Sequence, residues 1–247
     1  MPKKILSRKE FDKLRIKKLD LMQKDKSLFN QSIKLIEKAD KYMFIHQNNF
    51  LGEPSINFSE DLIRFQEAIY QVKPDIVIEV GVAWGGTTLF IASILEAMKK
   101  GRVIGIDIFI PKHVRNTLKT KGSLSNRIML INKSSTDEKV CAELKKITKN
   151  KKVLVILDSD HSEKHVLDEL NIYSEIVSKN SFLIICDTII NYIKPNKERK
   201  RNWNKTDNPF TAIKKFMNKN KNFIFDKKYN YKLLTSCNFH GFLKKIK

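Results

Sequence analysis

In Asp75-Ile-Val-Ile-Glu79-Val-Gly81-Val-Ala-Trp84-Gly85-Gly86-Thr87-Thr88 an apolar run passes without a linker into a glycine turn, and a helical pattern follows directly. That order constrains the fold more than any other stretch: it reads as a βα unit of a parallel sheet. Glycines at the carboxyl edge of such a strand let a nucleotide-like ligand lie against bare backbone. A dinucleotide turn would read G-x-G-x-x-G and begin with glycine. Here an acid leads, as E-x-G-x-x-x-G-G, and this spacing fits S-adenosylmethionine better. Glu79, Gly81, Trp84, Gly85 and Gly86 are the expected contacts on this turn.

The rest of the chain repeats the alternation. Strands are expected over 76–80, 103–107, 127–131, 153–157 and 182–186, and helices over 87–99, 138–148, 164–174 and 209–219. Closing strands are expected at 223–227 and 241–246. Several strands are near-continuous apolar runs, as in a parallel sheet covered on both faces. The expected fold is therefore α/β: a doubly wound, mostly parallel, seven-stranded sheet of the Rossmann-like kind. Residues 1–70 form an N-terminal helical cap, and 71–247 the cofactor-binding domain. Within the cap, Phe11, Leu14, Leu19, Leu21, Ile33, Leu35 and Ile36 look like core-covering faces of amphipathic helices, and Ser59 like the N-cap of a third.

Composition narrows the class of protein. No apolar run approaches the ~18 residues that a membrane span needs. Met-Pro-Lys-Lys leads into charged sequence with no apolar signal core, so a cytoplasmic location is expected. Cys141, Cys186 and Cys237 are odd in number and widely spaced, and read as reduced thiols. The 48 Lys and Arg against 27 Asp and Glu leave a net charge of +21, a field that draws phosphates, anionic glycans or acidic membrane surfaces. The lysines are scattered and only eight basic residues are Arg, which disfavours nucleic acid as the partner. The run Lys197-Glu-Arg-Lys-Arg201 reads as a solvated loop. Self-association into a homo-oligomer is left open.

In such a sheet ligands collect at the carboxyl ends of the strands. The second strand ends at Asp107, suited to the ribose hydroxyls of an adenosine, with Ile108 next to it. The third ends in Asn132-Lys-Ser134-Ser135-Thr136-Asp137, polar residues that suit either an adenine edge or the caps of the following helix. The fourth ends in Asp158-Ser-Asp160-His161, a density of polar groups that costs desolvation unless the groups pair or bind a cation. The fifth ends at Cys186-Asp187. Asp158 and Asp187 at one sheet edge suit a hard cation such as Mg2+, with His161 as general base.

These blocks resemble the cephalosporin hydroxylase family. The likeness runs from about Asn49 to the C-terminus. It rests on Leu51-Gly52-x-Pro54, Glu60-Asp61-Leu62, Glu79-x-Gly81-x-x-x-Gly85-Gly86, Asp107-Ile108, Ser134-Ser-Thr-Asp137, Asp158-Ser-x-His161-Ser with Val166-Leu-x-Glu169-Leu, Asp187-Thr-Ile-Ile, Asn208-Pro209-x-x-Ala212 and Gly241-Phe-Leu. The resemblance implies the class I S-adenosylmethionine-dependent methyltransferase fold and metal-dependent O-methylation of a sugar or glycan-like acceptor. It places Asp158 and Asp187 as metal ligands, His161 as base, and Asp158 also against the cofactor. Cys186 departs from it, standing where several relatives carry a carboxylate; a thiol is a poor Mg2+ ligand. Despite the family name, His46, His113, His161, His165 and His240 offer no convincing pair for an iron facial triad. The acceptor pocket is expected between the N-terminal helices and the loop 192–208, with Trp203 against the sugar ring. Two rival readings are methylation of RNA or another polyanion, suggested by the charge, and a non-catalytic cofactor-binding protein, suggested by Cys186.

Overall fold

The computed structural model describes residues 5–194, 201 and 203–247; the basic run at 197–201 lies outside the described residues except for Arg201. Two short strands, β1 (Asn49–Phe50) and β2 (Glu53–Pro54), make a hairpin of their own. The main sheet comprises β3 (Ile76–Val80), β4 (Arg102–Asp107), β5 (Ile128–Asn132), β6 (Val153–Leu157), β7 (Phe182–Ile185), β8 (Phe223–Phe225) and β9 (Phe242–Lys245). Its order is β5-β4-β3-β6-β7-β9-β8. β3 to β7 pair in parallel, and β9 inserts antiparallel between β7 and β8. The sheet is thus seven-stranded, mostly parallel and doubly wound, as expected.

Nine helices accompany it among the described residues: α1 (Arg8–Met22), α2 (Lys26–Asp40), α3 (Ser59–Val72), α4 (Gly86–Ala97), α5 (Lys112–Lys119), α6 (Glu138–Thr148), α7 (Glu163–Ile176), α8 (Pro209–Lys219) and α9 (Lys227–Asn230). Side-chain alternation along each strand feeds two layers. Val77, Val103, Leu154, Ile156, Phe182 and Ile184 face Phe65 and Ile69 of α3 and Ile91 and Leu95 of α4. Ile76, Ile78, Ile104, Val153, Val155 and Leu183 face Leu144 of α6, Leu170 and Tyr173 of α7, and Ile213 and Phe216 of α8. Each such buried side chain contributes about 1.5–3 kcal/mol. Double coverage is why β6 and β7 read as unbroken apolar runs and β3 is broken only by Glu79.

β4 and β5 extend from β3 in one direction, β6 and β7 in the other. The order reverses beside β3 and opens a crevice at the carboxyl ends of β3 and β6.

Several expectations need correcting. α1 buries none of its residues, and Phe11, Leu14 and Leu21 stay exposed. Its apolar positions spread around the helix instead of forming the single stripe that packing requires. Ser59 is the first residue of α3, not its cap: Phe58 holds that place and makes no side-chain hydrogen bond. α5 was not foreseen, because only Val114 and Leu118 of its eight residues are buried. The strand expected over 223–227 stops at Phe225, where Asp226 accepts from the Tyr229 amide at 3.1 Å and starts α9. No helix among the described residues is long and apolar enough to cross a membrane.

Candidate active site

The glycine turn is held from below by β4. Asp107 Oδ2 accepts from the amides of Val82 and Ala83 at 2.9 and 3.1 Å, and Oδ1 accepts from Phe109 at 3.1 Å. Asp107, expected at the ribose hydroxyls, thus also braces the glycine turn. Gly81 has φ 95, and a Cβ there would stand 2.0 Å from the Asp158 carbonyl oxygen. The turn and the end of β6 touch backbone to backbone only because residue 81 has no side chain. A Cβ on Gly86 would meet the Pro54 carbonyl oxygen at 2.4 Å, so the β1–β2 hairpin lies over the start of α4. Gly85, φ 84, lets the chain enter that helix.

The remaining expected cofactor residues divide into two groups. Ile108 and Trp84 are exposed along the loop edge, with Trp84 tilted toward His113 at 5.8 Å between ring centroids. Glu79 is buried and accepts from Thr88 Oγ1 at 2.5 Å. Burial, with Asp158 and Asp107 adding their charge, pushes its carboxyl up to about 8 against that hydrogen bond. Ser134 and Thr136 bond each other at 3.0 Å, and Asp137 caps α6 by accepting from the Val140 amide at 3.0 Å. Ser135 is buried with its hydroxyl 2.6 Å from Glu169 Oε1.

Asp158, His161 and Asp187 converge, each offering a ligand atom within 4.8 Å of the others. Asp158 follows β6, and Asp187 stands two residues past β7. His161 Nε2 lies 3.0 Å from Asp187 Oδ2. Burial and the neighbouring Asp187 push Asp158 up to about 7. Burial pulls His161 down, but Asp187, backed by Asp158 and Asp160, outweighs it and raises the imidazole to about 9. Burial would raise Asp187, and the His161 charge and hydrogen bond hold it below the usual carboxylate range instead. Asp160 is not part of the cluster: its Oδ1 accepts from the Ser162 amide at 2.8 Å and closes a turn into α7. Nor is Cys186, which is buried, its thiol pushed well above its ordinary value by that burial.

Three residues given no role from the sequence hold this edge in place. Asn57, buried, donates from Nδ2 to Thr87 Oγ1 at 3.2 Å and stands beside Asp158, where its amide favours the charged carboxylate. Glu169, fully buried on α7, gathers Ser135 Oγ, Ser159 Oγ (2.7 Å) and His165 Nε2 (3.0 Å) on its Oε1. It thereby ties the ends of β5 and β6 together. Asp61 on α3 binds the loop before β9, near Asp187. Their partners lie 30 to 176 residues away apart from Ser159 and His165, so the sequence blocks that contain Asp61 and Glu169 do not reveal what those residues hold.

A cavity of about 400 Å3 opens onto His161 and Asp187. Its walls are Ile36, Ala39 and Asp40 of α2, Phe44, Ile45 and Phe58 beyond it, Ile189, Ile190 and Ile193, and Trp203. Trp203 meets the His161 ring edge-on, 5.1 Å between centroids, and its buried Nε1–H has no hydrogen-bond partner among the described residues. The expected neighbours of an acceptor pocket, α2 and Trp203, thus line one space beside the Asp–His–Asp cluster.

The chain matches the model of a family described as Rhamnosyl O-methyltransferase/CmcI over residues 42–246. The Rhamnosyl O-methyltransferase of Mycobacterium tuberculosis (strain ATCC 25618 / H37Rv) is 28% identical over 135 residues, 53% of this chain and 53% of that protein. The one from Mycobacterium leprae (strain TN) is 26% identical over 164 residues, covering 62% of this chain and 69% of its own. The chain spans about half the length of the first of these relatives. Among solved structures, apo CmcI-N160 superposes with a TM-score of 0.58 at 16% identity, covering 82% of this chain and 77% of that one. CmcI-D160 with Mg and SAM gives 0.55 at 14%, covering 82% and 78%. At these identities the likeness is one of fold.

Proposed function

The chain belongs to the Rhamnosyl O-methyltransferase/CmcI family, and on that premise we propose that it transfers a methyl group from S-adenosylmethionine to a hydroxyl of a sugar or glycan-like acceptor. The observation that carries the proposal is the convergence of Asp158, His161 and Asp187 beside a glycine turn, at the mouth of a cavity. The acceptor class comes from the rhamnosyl-modifying relatives. The reduced thiols Cys141, Cys186 and Cys237 suit a cytoplasmic setting.

The donor set fits Mg2+, which takes one or two carboxylates and keeps waters and substrate oxygens in its other positions. Asp158 and Asp187 are two hard oxygen donors whose mutual repulsion already lifts Asp158, and a cation between them would relieve it. Mg2+ held there would polarise the acceptor hydroxyl and stabilise its negative charge. Methyl transfer otherwise requires alignment and the removal of one proton.

Without a cation Asp187 and Asp158 keep His161 protonated; a cation on those carboxylates would weaken their pull on the imidazole and free His161 to accept that proton. Trp203 braces the ring edge-on and offers its Nε1–H to an acceptor oxygen. The apolar walls of Phe44, Phe58, Ile189 and Ile190 exclude water around the reacting hydroxyl. On the other side, Gly81, Gly85, Gly86 and Asp107 would hold the methionine and ribose of the cofactor, with Ile108 and Trp84 exposed along the loop edge.

Calorimetric titration with S-adenosylhomocysteine, followed by transfer of labelled methyl to rhamnosyl glycosides, tests the proposal. Saturable binding and labelled product are expected; an absence of cofactor binding would sink the enzymatic reading.

A further inference from the structure

Asp187 holds φ 54, in the left-handed region that few residues other than glycine adopt and that Asp tolerates better than most. What keeps it there is the loop between α9 and β9. Asn238 Oδ1 accepts from the Asp187 amide at 3.2 Å. Thr188 Oγ1 donates to the Phe239 carbonyl at 2.6 Å and to that of Cys237 at 3.3 Å, and the Ile189 amide donates to the Cys237 carbonyl at 2.9 Å.

The loop is in turn fastened to the first turn of α3. Asp61, with no exposed surface, accepts from Ser236 Oγ and from the Cys237 amide at 2.9 Å. Ser236 Oγ accepts from the Asn238 amide at 2.8 Å, so an unbroken path of hydrogen bonds runs from Asp61 through Ser236 and Asn238 to the backbone of Asp187. Glu60 Oε2 accepts from the Thr235 amide at 2.6 Å, from Thr235 Oγ1 at 2.9 Å and from the Leu234 amide at 3.2 Å. Two consecutive acids, one wholly buried, thus take the amides of one distant loop. Burying a carboxylate is costly, and closing a loop onto a helix does not by itself require one.

We propose that Glu60 and Asp61 are positioning residues for the cation-binding edge: by fixing the 234–239 loop they set the backbone of Asp187 and the direction of its carboxylate. The proposal rests on the reading of Asp158 and Asp187 as metal ligands. It predicts that loosening the clamp weakens the metal and spares the cofactor, which the proposed function assigns to the turn after β3 and the end of β4.

The test uses the full chain with Mn2+ as probe, its binding followed by electron paramagnetic resonance, and with S-adenosylhomocysteine affinity measured in parallel. Asp61→Asn and Ser236→Ala are each expected to lower Mn2+ affinity by about tenfold or more, as losses of groups supporting a metal ligand do. S-adenosylhomocysteine affinity should change by less than about twofold, and Ser236→Thr, which keeps the hydroxyl, should restore Mn2+ binding. Should Asp61→Asn fail to fold, Ser236→Ala and Glu60→Gln decide the matter. Unchanged Mn2+ affinity in folded variants, or equal loss of both ligands, overturns the proposal alone. Absence of Mn2+ binding in the wild type removes the metal reading and the proposal together.

Discussion

Replacing Gly81 by alanine probes the contact on which the site is built. Two costs arise at this position. With φ 95 the residue lies where an L side chain is disfavoured, a penalty of about 1–2 kcal/mol. The added Cβ would also fall 2.0 Å from the Asp158 carbonyl oxygen and 2.6 Å from its carbon. That neighbour is backbone and cannot rotate away. It is pinned by the Asp158 amide on the Val80 carbonyl at 2.7 Å and by the pairing of Val80 with Leu157. Forcing β3 and β6 apart there adds about 1–3 kcal/mol. Gly52 supplies the control, because its φ of 89 carries the conformational penalty while a Cβ would meet nothing within 4 Å. In urea unfolding followed by circular dichroism, Gly52→Ala should lose at most about 2 kcal/mol and Gly81→Ala up to about 5 kcal/mol. Gly81→Ala should also weaken S-adenosylhomocysteine, since Asp158 moves with the turn. Equal destabilisation by the two substitutions would refute the argument from close approach.

Other outcomes follow from the same geometry. His161→Ala should leave S-adenosylhomocysteine affinity intact and cut methyl transfer by about 100-fold or more; retained turnover removes the base assignment. Asp107→Ala strips the Val82 and Ala83 amides of their acceptor, and should cost about 1–3 kcal/mol of stability together with most of the cofactor affinity. A variant that binds as tightly as wild type would show that the loop needs no such brace. Glu79 has a folded value of about 8, above its unfolded 4.5, so the stability linked to its protonation is fully present below about 4.5 and is lost as pH rises through about 8. Glu79→Gln cannot titrate, and should therefore lose less stability than wild type between about pH 5 and pH 9. Parallel melting-temperature profiles for the two proteins would show that Glu79 is not held protonated by its surroundings.

The readable part of the fold was the part written locally. β6 and β7 announce themselves because burial on both faces leaves no polar position in the register, β3 is interrupted only by Glu79, and Asp107, Asp158 and Asp187 stand out because an acid that closes an apolar run marks a strand end. The triad followed from that logic, since the strands bearing Asp158 and Asp187 are neighbours in the sheet. What stayed hidden depends on contacts between distant segments. Asn57, Asp61 and Glu169 look like ordinary polar residues on a turn or a helix, and only the folded chain sets them against Asp158, Ser236 and Ser135. The reverse error occurred in α1, where apolar residues suggested a core-facing helix although their angular spread leaves no face to bury.

The most direct test is a crystal structure with S-adenosylhomocysteine and Mn2+ bound, the metal located from its anomalous scattering. A peak coordinated by the carboxylates of Asp158 and Asp187, with the cofactor lying along Gly81 and His161 facing the cavity, is the expected result. A cofactor bound away from the glycine turn, or no metal between those carboxylates at saturating Mn2+, would contradict it.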